Sequence, residues 1–197
     1  MKTLCVYCGS SLGASAAYAV ASRQFASALV KNNIALVYGG GKVGLMGVIA
    51  DEVMRLGGEA TGVIPKALMD KEVGHRGLTR LHIVKDMHER KAMMAELSDG
   101  FVAMPGGIGT LEELFEIFTW SQLGLHDKPI GLLNTGGFYS GLINFLHHVV
   151  QEGFLQEAQA NLLMHDSTPD LLLERIKVFT PRPHPVLLDP VTAGKVV

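Results

Sequence analysis

The sequence predicts a doubly wound α/β fold, a single-domain Rossmann-like parallel sheet with helices on both faces. Three observations carry this expectation. Short runs that are apolar throughout alternate with helical patterns, as strands buried on both faces of a parallel sheet do. Glycine-rich loops follow the first, second and fifth of these runs, where such a fold places its binding sites. The length of 197 residues suits one compact domain better than two.

The elements follow in order. Residues 3–7 form the first strand, which ends in the small-residue loop Cys8-Gly-Ser-Ser-Leu-Gly13. An alanine-rich helix over about 16–31 stops at Asn32-Asn33, and residues 34–38 are a second apolar strand. That strand runs into Gly39-Gly40-Gly41-Lys-Val-Gly44-Leu-Met-Gly47 and a helix reaching about residue 56. Residues 61–64 make a third strand, stopped by Pro65, and an irregular charged region over 66–79 leads to a fourth at 81–84. A helix over 87–97 precedes the fifth strand at 101–104. The sixth strand at 129–133, a helix over 139–152, a short strand at 162–164 and a helix over 169–178 complete the domain, set at residues 1–180. Residues 181–197, with Pro181, Pro183, Pro185 and Pro190, read as a loosely held tail.

A formal charge of −2 gives no basic field for nucleic acid and no acidic tail. No apolar run approaches the roughly 18–20 residues that span a bilayer, and no charged-then-apolar leader opens the chain, so a cytoplasmic location away from membranes is expected. Cys5 and Cys8 lie in and at the end of a strand, where a spacing of three points them to opposite faces; the redox form of this motif opens a helix instead. Buried thiols are the better reading. With no second cysteine pair and no His-Glu-x-x-His, no metal site or cofactor is expected. Ser10 and Ser11 lack a Gly-x-Ser-x-Gly elbow, which argues against a serine nucleophile.

The stretch that organises the chain is Phe101-Val-Ala-Met-Pro-Gly-Gly-Ile-Gly-Thr110-Leu-Glu-Glu113-Leu-Phe115. Strand, glycine turn and helix start together aim bare backbone N–H groups and the positive end of a helix at an anion, usually a phosphate. Thr110 opens the helix, with Leu111, Leu114, Phe115 and Phe118 on its apolar stripe. Acids repel phosphates, so Glu112 and Glu113 in the first turn need another reason. Thr110-x-x-Glu113 fits a capping box; chemistry is the alternative. On a helical wheel Glu113 lies away from the stripe, facing solvent, a ligand or another subunit. The earlier loop holds Gly39-x-Gly41-x-x-Gly44, but it follows the second strand and Glu59 would begin a strand, which weakens a dinucleotide reading. Val43 after Lys42 excludes a P-loop. A mononucleotide or other phosphate ligand near Gly40 and Gly41, or a purely structural turn, remains.

In Asp86-Met-His-Glu-Arg90-Lys91-Ala-Met-Met94-Ala-Glu-Leu97, Asp86 and Glu89 form a capping pair. Arg90 and Lys91 fall inside the stripe of Met87, Met94 and Leu97. Either their stems snorkel to water, or their heads converge on an anionic ligand or on Glu113.

Pro105-Gly-Gly-Ile-Gly-Thr-Leu-Glu-Glu113, Met87-His-Glu-Arg-Lys91 and Tyr38-Gly-Gly-Gly-x-x-Gly-Leu-Met46 resemble, in that order, the marks of the Lonely Guy family. Its members are cytokinin riboside 5′-monophosphate phosphoribohydrolases, long mislabelled as lysine decarboxylases. The resemblance covers roughly residues 3–178. It implies hydrolysis of the N-glycosidic bond of an adenosine-type 5′-monophosphate, with Arg90 and Glu113 as the catalytic pair. It also implies substrate contacts at Glu72, Lys91, Gly106, Gly107, Ile108, Gly109, Thr110 and Thr119, and a homodimer with the site near the subunit contact. Ile117, Trp120 and Leu123, off the apolar stripe, are the residues expected beneath that contact. A non-catalytic nucleotide carrier or sensor of the same fold is the rival. A decarboxylase would need a pyridoxal-bearing lysine, for which Lys42 and Lys91 offer no convincing setting.

Overall fold

Strands β1 (Thr3–Tyr7), β2 (Ala35–Tyr38), β3 (Ala60–Pro65), β4 (Arg80–Val84), β5 (Phe101–Ala103), β6 (Ile130–Leu133) and β7 (Leu163–Asp166) lie parallel in one sheet. Their order is β4-β3-β2-β1-β5-β6-β7. The computed structural model describes residues 1–69, 71 and 74–181. Each strand falls within two residues of its expected bounds, and β3 continues through Pro65 instead of stopping before it. The expected tail lies outside the described residues beyond Pro181.

Alternation along each strand divides two apolar layers. Leu4, Val6, Leu36, Tyr38 and Val102 face helices α1 (Ala16–Lys31), α2 (Gly44–Arg55) and α8 (Pro169–Lys177), meeting Phe25, Leu29, Ile49, Val53 and Leu172. Cys5, Tyr7, Val37, Phe101 and Ala103 face the other way. There they meet Met94 of α4 (Met87–Glu96), Leu114, Ile117 and Phe118 of α5 (Ile108–Gln122), and Leu146 of α6 (Ser140–Gln151). Both faces of the sheet are therefore covered, as strands apolar on both sides require. Short helices at Lys66–Met69 and Glu157–Ala160 complete the set.

Local signals set the helix starts. Ser15 caps α1 by accepting from Ala17 N, and Asp86 caps α4 by accepting from His88 N and Glu89 N at 3.0 Å each. Glu89 accepts from Lys85 N at 2.7 Å, completing the cap one residue earlier than a capping box would. Pro169 occupies the first turn of α8, where its missing N–H costs nothing.

The chain leaves β1 for β2 on one side and later places β5 on the other, so the crossovers diverge between β1 and β5. Doubly wound sheets bind ligands at that point, outside the carboxyl ends of the strands. The loops after β1, β2 and β5 all gather there.

Cys5 and Cys8 are free and buried, one in each layer. Burial pushes both thiols well above the ordinary range, with the Glu113 charge adding to it. We expect neither to be alkylated by iodoacetamide at neutral pH in the folded protein, and both after unfolding. Mass-spectrometric labelling of the native protein checks this, and rapid modification of either thiol would contradict it.

Candidate active site

At the end of β5 the backbone turns through Pro105 and Gly106, and Gly107, in extended conformation, is the N-cap of α5. The helix thus starts at Ile108, before Thr110. Among the described residues no side chain caps it, and Leu111 N is the first amide bonded back, to Gly107 O at 3.1 Å. The N–H groups of Ile108, Gly109 and Thr110 keep the orphan status of a helix's first turn. The Thr110–Glu113 capping box does not form, because Thr110 already lies inside the helix.

Two of these glycines differ in their reason for being there. A methyl at Gly106 would overlap the Thr110 hydroxyl and crowd Gly9 N, so close packing of the two loops demands glycine. A methyl at Gly107 would meet no described atom within 4 Å. Nothing in the packing forbids a side chain there.

The phase of α5 also differs from the wheel. Thr110, Glu113, Leu114, Ile117, Phe118 and Ser121 are buried, whereas Phe115 is 36% exposed. Glu113 therefore faces inward, and Ile117 belongs to the core and not to an outer surface. Burial of Glu113 is tolerable because Arg90 meets it from α4. Arg90 Nη1 donates to Glu113 Oε1 at 2.6 Å, and Arg90 Nε donates to Val63 O of β3 at 3.2 Å; both side chains are 9% exposed. The guanidinium is walled by the loop after β2, where a methyl at Gly39 would overlap Arg90 Nη2. The expectation that Arg90 converges on Glu113 holds.

Lys91 is buried beside it but serves other groups. Its Nζ donates to Glu112 Oε1 and, at 3.0 Å, to Glu116 Oε1. Burial alone would lower the ammonium's pKa, but the hydrogen bonds and charges of the two glutamates prevail and raise it. Lys91 is thus a charged clamp between α4 and α5. A lysine held protonated in this way is a poor Schiff-base nucleophile.

Burial raises the Glu113 carboxyl above the ordinary range, and the charge and hydrogen bond of Arg90 pull it down without cancelling that effect. Gly40 and Gly41 sit in the buried part of the β2 loop, beneath residues 74 and 75: His75 N donates to Gly40 O at 2.8 Å, and Gly41 bridges Gly74. Ile108 is 81% exposed at the mouth of the glycine turn. Thr119 lies on the outer face of α5 with its hydroxyl donating to Phe115 O at 2.7 Å, away from Glu113. Glu72 lies outside the described residues. A cavity of about 260 Å³ opens between the loops at Gly9–Gly13 and Pro105–Gly107, backed by Tyr18, Leu45 and Phe138. Arg90 and Glu113 do not line it.

The sequence shows Gly39 as part of a glycine loop but not what approaches it, which is the Arg90 head. It also gave no hint of the Val63 carbonyl, which as backbone carries no residue signature. Among the described residues no helix is long and apolar enough to cross a membrane, and no cluster of His, Cys, Asp and Glu could hold a metal ion.

The family model described as "Possible lysine decarboxylase" matches residues 46–176. Cytokinin riboside 5′-monophosphate phosphoribohydrolase LOG1 of Arabidopsis thaliana is 45% identical over 181 residues, 92% of this chain and 85% of that protein. The chain belongs to the Lonely Guy family. Another Lonely Guy relative, the probable cytokinin riboside 5′-monophosphate phosphoribohydrolase LOGL6 of Oryza sativa subsp. japonica, is 46% identical over 92% of this chain and 72% of its own. Among solved structures, the molybdenum cofactor carrier protein from Chlamydomonas reinhardtii superposes with a TM-score of 0.67 at 17% identity, covering 89% of this chain and 95% of that one. The molybdenum cofactor binding protein from Rippkaea orientalis does so at 0.66 and 20%, covering 90% and 96%. These two likenesses establish the shared fold alone.

Between the usual 4.5 of a glutamate and the raised folded-state value, the folded Lonely Guy chain binds a proton that the unfolded chain has released. Glu113 therefore makes stability fall as pH rises through that window. In Glu113→Gln this component disappears, so urea midpoints should decline less over the same window. An unchanged slope would count against the assignment.

Proposed function

We propose that this protein hydrolyses the N-glycosidic bond of cytokinin riboside 5′-monophosphates or AMP, giving the free base and ribose 5-phosphate. The observation that carries the reading is the buried Arg90–Glu113 pair at 2.6 Å, about one helical turn from the uncapped N–H groups of α5, in a chain 45% identical to a phosphoribohydrolase. Loss of the base builds positive charge at the sugar carbon. An ionised carboxylate beside that carbon stabilises the charge and accepts a proton from the attacking water; the C–N bond breaks with its electron pair leaving on the base, a C–O bond forms, and the base takes up a proton as Glu113 gives its own back through solvent. A pKa raised by burial brings Glu113 nearer to neutrality, which suits a general base. Arg90 holds the carboxylate in one orientation.

The amides of Ile108, Gly109 and Thr110, with Gly106 and Gly107 leaving the approach clear, take the 5′-phosphate. Binding the phosphate, remote from the bond that breaks, orients the sugar over Glu113. The cavity of about 260 Å³ is smaller than a typical small-molecule site of about 300–1,000 Å³ and would take one end of the nucleotide, not all of it. Gly40 and Gly41 contribute as backbone of the neighbouring loop. In this reading Lys91 acts by setting α4 against α5.

We further place the enzyme in the cytoplasm, consistent with two free thiols, and as a homodimer. Ile108 at 81%, Phe115 at 36%, Leu123 at 58% and Leu125 at 68% exposure leave apolar side chains uncovered along α5 and just beyond it. Thr119 lies on the outer face of the same helix, so a substrate contact through it would involve the subunit contact.

Glu113→Gln should lower base release from AMP and from isopentenyladenosine monophosphate by roughly 10²–10⁴. Near-normal release in that variant would eliminate the mechanism, whereas tight AMP binding by the wild type with no release over hours would favour a carrier. Gly39→Ala should push the Arg90 head away from Glu113 and reduce turnover by roughly tenfold or more, with a lowered melting temperature because the buried pair is broken. Full activity in this variant would show that Arg90 need not sit where it does.

A further inference from the structure

The reaction as proposed makes no use of His75, although its side chain is 6% exposed and paired with Asp51 of α2. Gly77 N donates to His75 Nδ1 at 3.0 Å, so that nitrogen is an acceptor and the ring proton resides on Nε2. Nε2 lies 2.9 Å from Asp51 Oδ1, to which it donates. The ring thus ties the turn at 75–77 to a helix 24 residues earlier in sequence.

The backbone of the same residue grips the β2 loop. His75 N donates to Gly40 O at 2.8 Å, and Gly41 and Gly74 form an antiparallel bridge. On its other side that loop is the wall of the Arg90 head, through Gly39. Three consecutive glycines have no side chains with which to fix themselves, and Gly40 adopts φ +72°, a conformation open to few other residues. The loop's position is therefore set by its neighbours: the backbone of residues 74 and 75 bonds Gly41 and Gly40, Ile64 and Leu81 lie against Gly40, and the guanidinium lies against Gly39.

We propose that His75 is a positioning residue for the hydrolysis: hydrogen-bonded to Asp51, it holds the Gly39–Gly41 loop in place and so keeps Arg90 aimed at Glu113. The claim rests on the phosphoribohydrolase reading, and it explains why a buried histidine should be spent on a loop edge. The chain of contacts runs Asp51, His75 ring, His75 backbone, Gly40, Gly39, Arg90, Glu113, and each link is a hydrogen bond, a covalent bond or a close packing contact. A histidine that merely stabilised the fold would not alter the Arg90 head when removed.

The test follows Arg90 directly. Exchange of its Nε–H with water, slowed by the bond to Val63 O, is measured by ¹⁵N NMR, alongside kcat and KM for base release from AMP. In His75→Ala the exchange should accelerate roughly tenfold, and kcat should fall roughly tenfold with KM changed less than about threefold. Asp51→Asn keeps an oxygen acceptor for Nε2–H and should behave as the wild type does in both measurements. If His75→Ala does not fold, His75→Gln, whose amide keeps a donor towards Asp51 but puts no ring nitrogen at the Nδ1 position that Gly77 N bonds, takes its place with the same expected direction and a smaller loss. Unchanged Arg90 exchange, a loss expressed only in KM, or equal damage in Asp51→Asn would each overturn the proposal. Should the wild type release no base at all, the reading of the reaction fails, and the Arg90 exchange still decides whether His75 positions that side chain.

Discussion

A cation and a carboxylate that are both withdrawn from water cannot do without each other. Taking either Arg90 or Glu113 out of solvent alone would cost several kcal/mol, and removing one partner of such a buried pair typically costs about 3–5 kcal/mol. The constraint reaches beyond the pair. The buried residues of α4 are Arg90, Lys91 and Met94, so two of its three inward positions are cations. Apolar burial alone would dock this helix weakly. It is held against α5 by charge, with Arg90 on Glu113 and Lys91 across Glu112 and Glu116, and against β3 by the bond from Arg90 to Val63 O. The register of α4 on α5 is therefore fixed to hydrogen-bond precision, which apolar side chains sliding past one another would not give.

The sheet determines where that precision is used. Because every strand is parallel, all carboxyl ends share one edge, and because the crossovers diverge between β1 and β5, the loops there part and leave room. The N-terminus of α5 is presented at the same edge. Arg90 and Glu113 meet just below it, on the α4/α5 side, close enough that the Glu113 charge is felt by the thiols of Cys5 and Cys8. Uncapped backbone amides and a buried carboxylate are thus neighbours along a single helix, one supplied by backbone and the other by a side chain.

The fold was legible in the sequence because strands buried on both sides cannot hide: Thr3–Tyr7, Ala35–Tyr38 and Ile130–Leu133 are short, continuous apolar runs between turn signals. The start of α4 was legible for a local reason, the Asp86 cap. The glycine turn leading into a helix was legible from Pro105 to Gly109, but the beginning of α5 was not. Thr110-x-x-Glu113 satisfies the pattern of a capping box, yet backbone geometry at Gly107 starts the helix earlier. The inward face of α5 was misjudged for a related reason. A wheel assigns the inside by apolarity and so preferred Phe115 to Glu113, while the cation that makes a buried Glu113 tolerable lies on another helix, 23 residues away. Lys91 shows the converse. Its place on an inward strip was foreseen, but the anions it meets are the protein's own. Asp51 and His75 left no trace in the sequence, since nothing local to either residue requires the other.

A carrier and a hydrolase on this fold would want different things from Glu113. A carrier needs only the amides of α5 and a fitted cavity, and a carboxylate near a bound dianionic phosphate works against affinity through like-charge repulsion. It would also lose little by replacing Arg90 and Glu113 together with apolar residues of similar volume, an exchange that is often neutral or stabilising in proteins. A hydrolase needs the opposite: a fixed negative group beside the carbon that becomes positive, desolvated enough to act strongly and held so that it need not reorganise as the bond breaks. Burial that raises the carboxyl of Glu113, a guanidinium that keeps it in one place, and a glycine loop that leaves room for the guanidinium are costs with respect to binding and advantages with respect to catalysis. The structure carries all of them at one corner of the sheet.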